Sequence, residues 1–169
     1  PSSASALAWY IAAAARAHDG PLLLVSRDNQ SAQHLVADLA ILAGGPAQLP
    51  VIAFPDWETL PYDQFSPHPE IISQRLAALN RLPALTRGIV VVPVQTLLQR
   101  LAPVAHIAGN SFDLKLGQRL DMDTEKRRLE AAGYRHVPQV MDPGDFAVRG
   151  GLLDVFPMGV DAPLRIELL

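Results

Sequence analysis

Two uninterrupted apolar runs of strand length, at residues 22–25 and 89–92, constrain the fold more than anything else in the chain. A strand with one wet face alternates apolar and polar residues. A strand that is apolar at every position is expected to be covered on both faces. Such cover comes from helices above and below a parallel sheet. The intervening sequence supplies them. Residues 7–17 form an Ala-rich helix stopped by Asp19-Gly20-Pro21. Leu35, Val36, Leu39 and Leu42 stand at helical spacing after a turn in which Asp28, Asn29 and Ser31 are candidate N-caps. Gly44-Gly45-Pro46 closes that helix. Residues 49–54 form another strand, 71–82 a third helix ended by Pro83, and 96–101 a helical turn. This alternation predicts a doubly wound α/β layer over residues 1–109.

Residues 110–169 follow a different pattern. Strands are expected at 110–116, 134–140, 146–148, 152–156 and 164–168, with one amphipathic helix at 123–132 ended by Gly133. That is an α+β domain, with the boundary near Gly109-Asn110. The last residues, Ile166-Glu167-Leu168-Leu169, lie inside a strand pattern, so this second domain reads as truncated at its C-terminal end.

Composition narrows the chemistry. The 169 residues are 49% hydrophobic, enough for a packed core, and the net charge of −3 supplies no global basic field for coating nucleic acid. With no cysteine, disulfide scaffolds, thiolate metal sites and cysteine nucleophiles are excluded, and a reducing, cytoplasmic setting fits. The apolar stretch at 7–17 is too short for a membrane span.

An α/β layer invites a nucleotide, and a phosphate-binding loop needs glycines and a lysine in the turn after the first strand. That turn is Ser26-Arg27-Asp28-Asn29-Gln30-Ser31, which has neither. His18, His34, His68, His106 and His136 are scattered, without metal-ligand spacing. Asp56 and Glu58 flank Trp57, either as an acid/base pair or with Asp56 capping a turn while Trp57 packs. Lys126-Arg127-Arg128 could meet DNA, or form a solvated helix face balanced by Glu125 and Glu130. No reaction is assembled by these residues.

Two segments carry more. The proline- and aromatic-rich connection from Phe54 to Pro69 is stiff without regular hydrogen bonding, either wrapping the sheet or offering a partner surface. In the stretch around Gly150-Gly151, alternation puts Phe146 and Val148 on one face and Ala147 and Arg149 on the other. If neighbouring strands pair, Arg149 and Arg165 share an exposed face able to grip carboxylates. Alternatively, each is a solvated arginine matched to Asp145, Asp154 or Glu167.

At these two segments the chain resembles a known family. Asp56 to Leu76, DWETLPYDQFSPHPEIISQRL, is similar to the N-terminal UvrB-like region of bacterial transcription-repair coupling factors (Mfd). Gly133 to Gly159, GYRHVPQVMDPGDFAVRGGLLDVFPMG, followed by Pro163-Leu164-Arg165-Ile166-Glu167, resembles the region that comes next, and shares its pattern with UvrB.

The resemblance implies a degenerate RecA-like parallel-sheet domain at 1–109 that has lost its nucleotide-binding loop. At 110–169 it implies part of an inserted α+β domain that binds UvrA. By motif, the UvrA-binding arginines fall on Arg149 and Arg165. The aromatic often found four residues after the second arginine is replaced by Leu169. The expected function is a non-catalytic adaptor recruiting UvrA in nucleotide excision repair. The motor with its ATP and magnesium, and the regions meeting RNA polymerase and duplex DNA, would lie outside this chain. The rival readings are a UvrB-type ATPase or helicase fragment and a DNA-binding module.

Overall fold

The computed structural model describes residues 4–44, 48–60, 63–104 and 115–168. The chain divides into two compact units, one of residues 1–67 with 78–101 and one of residues 68–77 with 102–169. The expected boundary near Gly109-Asn110 and most of the strand expected at 110–116 lie outside the described residues.

The first unit is a three-stranded parallel sheet in the order β1-β3-β2, with β1 at Pro21–Ser26, β2 at Val51–Ala53 and β3 at Gly88–Pro93. Helices α1 (Ala4–Ala17) and α2 (Asn29–Leu42) cover one face. Small side chains let α1 approach closely: Ala8, Ala12 and Ala15 share a stripe and are fully buried with Leu39, Ile89 and Val91. The other face packs Ile52, Phe54 and Val92 against Ala78 and Leu79 from the end of helix α3 (Pro69–Arg81). A sheet clad on both faces is the doubly wound arrangement that the apolar runs predict.

The two runs nevertheless differ. β3 is central and buried at every position, as its composition requires. β1 is an edge strand within this unit, and Leu23 and Val25 are 60% and 45% exposed. The expectation that residues 22–25 are covered on both faces is corrected: helices seal the side bearing Leu22 and Leu24, and the alternate side chains remain open.

In the second unit a four-stranded mixed sheet runs β4-β5-β6-β7, with β4 at Arg135–His136, β5 at Asp145–Arg149, β6 at Leu152–Val155 and β7 at Leu164–Glu167. β4 is parallel to β5, and the other pairs are antiparallel. Helix α4 (Met122–Ala131) lays Leu129 on Phe146, Leu153 and Val155, which form the core. Asp121 caps α4 by accepting from Thr124 N at 2.8 Å, and Gly133 ends the segment at φ +86°. The strand expected at 134–140 is only two residues long. Asp145 Oδ2 accepts the N–H groups of Met141 and Asp142 at 3.3 and 3.0 Å, turning the chain back before a longer ladder can form.

Candidate functional site

The two arginines singled out in the sequence are placed by one hairpin and one further strand. Gly150 takes φ +59° in the first of the two turn positions between Arg149 and Leu152, a left-handed backbone that glycine adopts without strain. The tight turn fixes the register: Ala147 opposes Asp154, and Arg149 opposes Leu152. On the next pair, Asp154 opposes Arg165 and Leu152 opposes Glu167.

Directly opposed residues share a face, and faces alternate along each strand. Phe146, Val148, Leu153, Val155 and Ile166 therefore turn towards α4. Ala147, Arg149, Asp154, Arg165 and Glu167 turn the other way. Arg149 and Arg165 thus stand on the same outer face, two strands apart.

The guanidiniums are held differently. Arg165 grips Asp154 in a fork, Nε to Oδ1 at 2.6 Å and Nη2 to Oδ2 at 2.8 Å. These hydrogen bonds hold the Asp154 carboxyl below its usual range, with partial desolvation opposing, and they raise Arg165 further above its own. Arg149 adds a smaller electrostatic pull on Asp154. Arg149 itself donates through Nη2 to the backbone carbonyl of Pro138, a neutral acceptor that restrains the side chain.

Pro138 belongs to the segment that folds back after β4. Its anchor is Asp145, only 3% exposed. Arg135 Nη2 lies 2.8 Å from Asp145 Oδ1, an ion-pair contact that lacks hydrogen-bond alignment, and 3.4 Å from Asp142. Neither the Pro138 acceptor nor the Arg135–Asp145 pair was legible in the sequence, because both depend on the path of that segment. The Asp154–Arg165 pair was within reach of the alternation around Gly150-Gly151. Leu169 lies outside the described residues.

The remaining candidates stay apart. Asp56 Oδ1 accepts from Thr96 Oγ1 at 3.2 Å and Gln99 Nε2 at 2.6 Å, tying the 3-10 turn at Val94–Leu98 to the segment after β2. Glu58, at φ +57°, accepts instead from the Asn29 amide, so the two carboxylates do not converge. His136 stacks on Phe146 with ring centroids 5.0 Å apart, and His68 Nδ1 accepts from Glu70 N at 3.3 Å. His106 lies outside the described residues. Among the described residues no group of three or more His, Asp or Glu could hold a metal ion. On α4, Arg127 bonds the Asp123 carbonyl at 3.2 Å and Arg128 lies 3.8 Å from Glu125.

The turn after β1 has its own electrostatics. Asp28 caps α2, its Oδ1 accepting from Ser31 N at 2.7 Å; bonding to the Ser31 side chain first, then to its backbone N–H and to Arg27, lowers the Asp28 carboxyl to about 2. A carboxylate already occupies the helix end where a phosphate would dock, and its charge repels one. The residues present do not fit a nucleotide phosphate there.

Residues 112–169 match the family model described as the UvrB interaction domain, so the sheet bearing Arg149 and Arg165 lies inside the matched stretch. Over almost its whole length the chain is also similar to transcription-repair-coupling factors. Identity is 45% over 163 residues with that of Escherichia coli, covering 96% of this chain and 14% of the relative. It is 48% over 145 residues with that of Haemophilus influenzae, covering 86% and 12%, and 39% over 151 residues with that of Myxococcus xanthus, covering 87% and 13%. The chain thus matches a stretch of transcription-repair-coupling factors, and it spans about 12–14% of the length of those relatives. No helix among the described residues is long and apolar enough to cross a membrane.

Proposed function

We propose that this chain is the adaptor part of a transcription-repair coupling factor and recruits UvrA to lesions at which RNA polymerase has stalled, in nucleotide excision repair. One observation carries the reading. Within the stretch that matches the UvrB interaction domain, Arg149 and Arg165 stand side-chain outward on one face of the sheet, opposite its core. Two guanidiniums so presented suit an acidic patch on the partner, and charge pairing of this kind governs specificity and association rate more than raw affinity.

The sheet domain at 110–169 is the UvrA-binding part, and residues 1–109 are a degenerate RecA-like domain. ATP and magnesium act in a motor region outside this chain. RNA polymerase and duplex DNA are met by other parts of the full-length protein, an ATP-dependent DNA translocase of the cytoplasm. The Asp28 carboxylate at the α2 N-terminus supports the assignment of nucleotide chemistry elsewhere. The arginines of α4, engaged with Asp123 and Glu125 on their own helix, favour a solvated face over DNA binding.

The test is binding of purified UvrA to this chain and to an Arg149→Ala, Arg165→Ala double variant, with folding of both checked by circular dichroism. Binding by the parent that the variant loses supports the reading. Equal binding by both removes the arginines from the interface, and failure of the folded parent to bind overturns the adaptor function.

A further inference from the structure

The outer face of the second sheet carries a charge arrangement that the two arginines alone do not explain. Asp154 sits directly opposite Arg165 in the β6–β7 register. In the β5–β6 register it is diagonal to Arg149, since it opposes Ala147, two residues earlier on the same face. Its carboxylate therefore lies in the field of both cations, and both lower its proton affinity. Two guanidiniums on one small face repel each other, and a carboxylate between them offsets that repulsion.

The fork is also a geometric device. Arginine has five N–H donors in a rigid plane, and a carboxylate bound through Nε and Nη2 leaves the Nη1 edge unengaged among the described residues. The Arg165 side chain is 59% exposed and that of Asp154 17%, so the anchor is half-sheltered while the free edge reaches solvent. A long side chain that would otherwise sample many rotamers is held in one orientation before any partner arrives.

We propose that Asp154 is a positioning residue for partner binding: it fixes the Arg165 guanidinium so that its free edge, together with Arg149, meets an acidic surface. The inference rests on the UvrA-binding reading and deepens it. Asp154 does not touch the partner. It acts through Arg165, keeping it pre-organised at the cost of one unit of positive charge on the face.

That cost gives the proposal a kinetic signature. Replacing Asp154 by Asn frees Arg165 and makes the face more cationic. Dissociation should accelerate because the arginine is no longer held, while association with an acidic partner should stay constant or rise. A residue that only stabilised the fold would not divide the rates in this way.

The experiment follows UvrA binding to the immobilised chain, with association and dissociation rates measured separately for the parent, Asp154→Asn, Asp154→Glu, Arg165→Ala and the Asp154→Asn, Arg165→Ala pair. The expected result is dissociation about tenfold faster for Asp154→Asn, with association no slower. Asp154→Glu, which keeps the charge on a longer arm, should show a smaller change in the same direction. The double variant should be no weaker than Arg165→Ala alone, and the melting temperature of Asp154→Asn should match the parent's, as for an exposed pair.

Unchanged dissociation for Asp154→Asn beside a clear effect of Arg165→Ala overturns the positioning role and leaves the adaptor function standing. A loss that adds to that of Arg165→Ala, or that accompanies a lowered melting temperature, assigns Asp154 to the fold and also overturns it. Failure of the folded parent to bind UvrA overturns both readings.

Discussion

The backbone N–H of Gly159 donates to Ser73 Oγ at 2.7 Å, joining the loop after β6 to helix α3 across 86 positions of sequence. The approach is close. A Cβ on Gly159 would stand 3.3 Å from Ala77 Cα, and the residue takes φ +91°, a backbone that side-chain-bearing residues adopt only under strain. Gly159→Ala is expected to destabilise the second unit by about 1–3 kcal/mol, read as a shift in urea midpoint at unchanged slope. An unaltered midpoint would show that this contact contributes little.

The core of that unit centres on Phe146, which is fully buried against Leu129, Leu153 and Val155. Truncation leaves both the lost transfer free energy and a cavity. Phe146→Ala should cost about 3–5 kcal/mol, whereas Phe146→Leu should cost much less. Near-ultraviolet circular dichroism and denaturant titration check both.

Arg149 and Arg165 are exposed in the free chain, so removing either should leave folding unchanged while weakening UvrA binding. Each single Ala variant is expected to raise Kd on the order of tenfold, and rising salt should narrow the gap from the parent. Titration calorimetry at two ionic strengths separates this from a folding defect, which would not depend on salt in that way.

Asp28 makes the stability of α2 pH-dependent. Its carboxyl titrates at about 2 in the folded chain, below the ordinary 3.8. The charged form is thus favoured by folding, and its contribution is full above the ordinary value and fades as pH falls towards about 2. Asp28→Asn keeps a capping side chain and removes the titration. The parent should be the more stable chain at neutral pH, and the difference should shrink between about pH 4 and pH 2. A constant offset across that window would mean that the Asp28 charge is irrelevant.

The same carboxylate bears on nucleotide chemistry. Millimolar ATP with magnesium should leave the melting temperature of this chain unchanged, because a ligand that binds the folded state raises it by mass action. A concentration-dependent rise would establish a nucleotide site and revive the UvrB-type ATPase reading.

What the sequence determined by itself is what neighbours along the chain decide. The continuous apolar run at 89–92 called for a buried strand, and β3 is buried throughout. Asp28 was a candidate cap and takes that place on α2, while strand alternation before Gly150-Gly151 put Arg149 on the face opposite Phe146 and Val148, where it stands. Periodicity, capping and turn chemistry act over a few residues, so a linear pattern carries them.

Tertiary structure alone decided which distant groups meet. That Leu23 and Val25 on β1 stay open depends on where the packed elements lie over the sheet, which composition does not record. β4 is short because Asp145, several residues later, turns the chain back, and that path delivers the Pro138 carbonyl to Arg149. The fork from Arg165 to Asp154 and the bond from Gly159 to Ser73 arise likewise from strand register and loop course. The physical reason is that a long polar side chain has many acceptors within reach of its sequence, and only the packed backbone selects one.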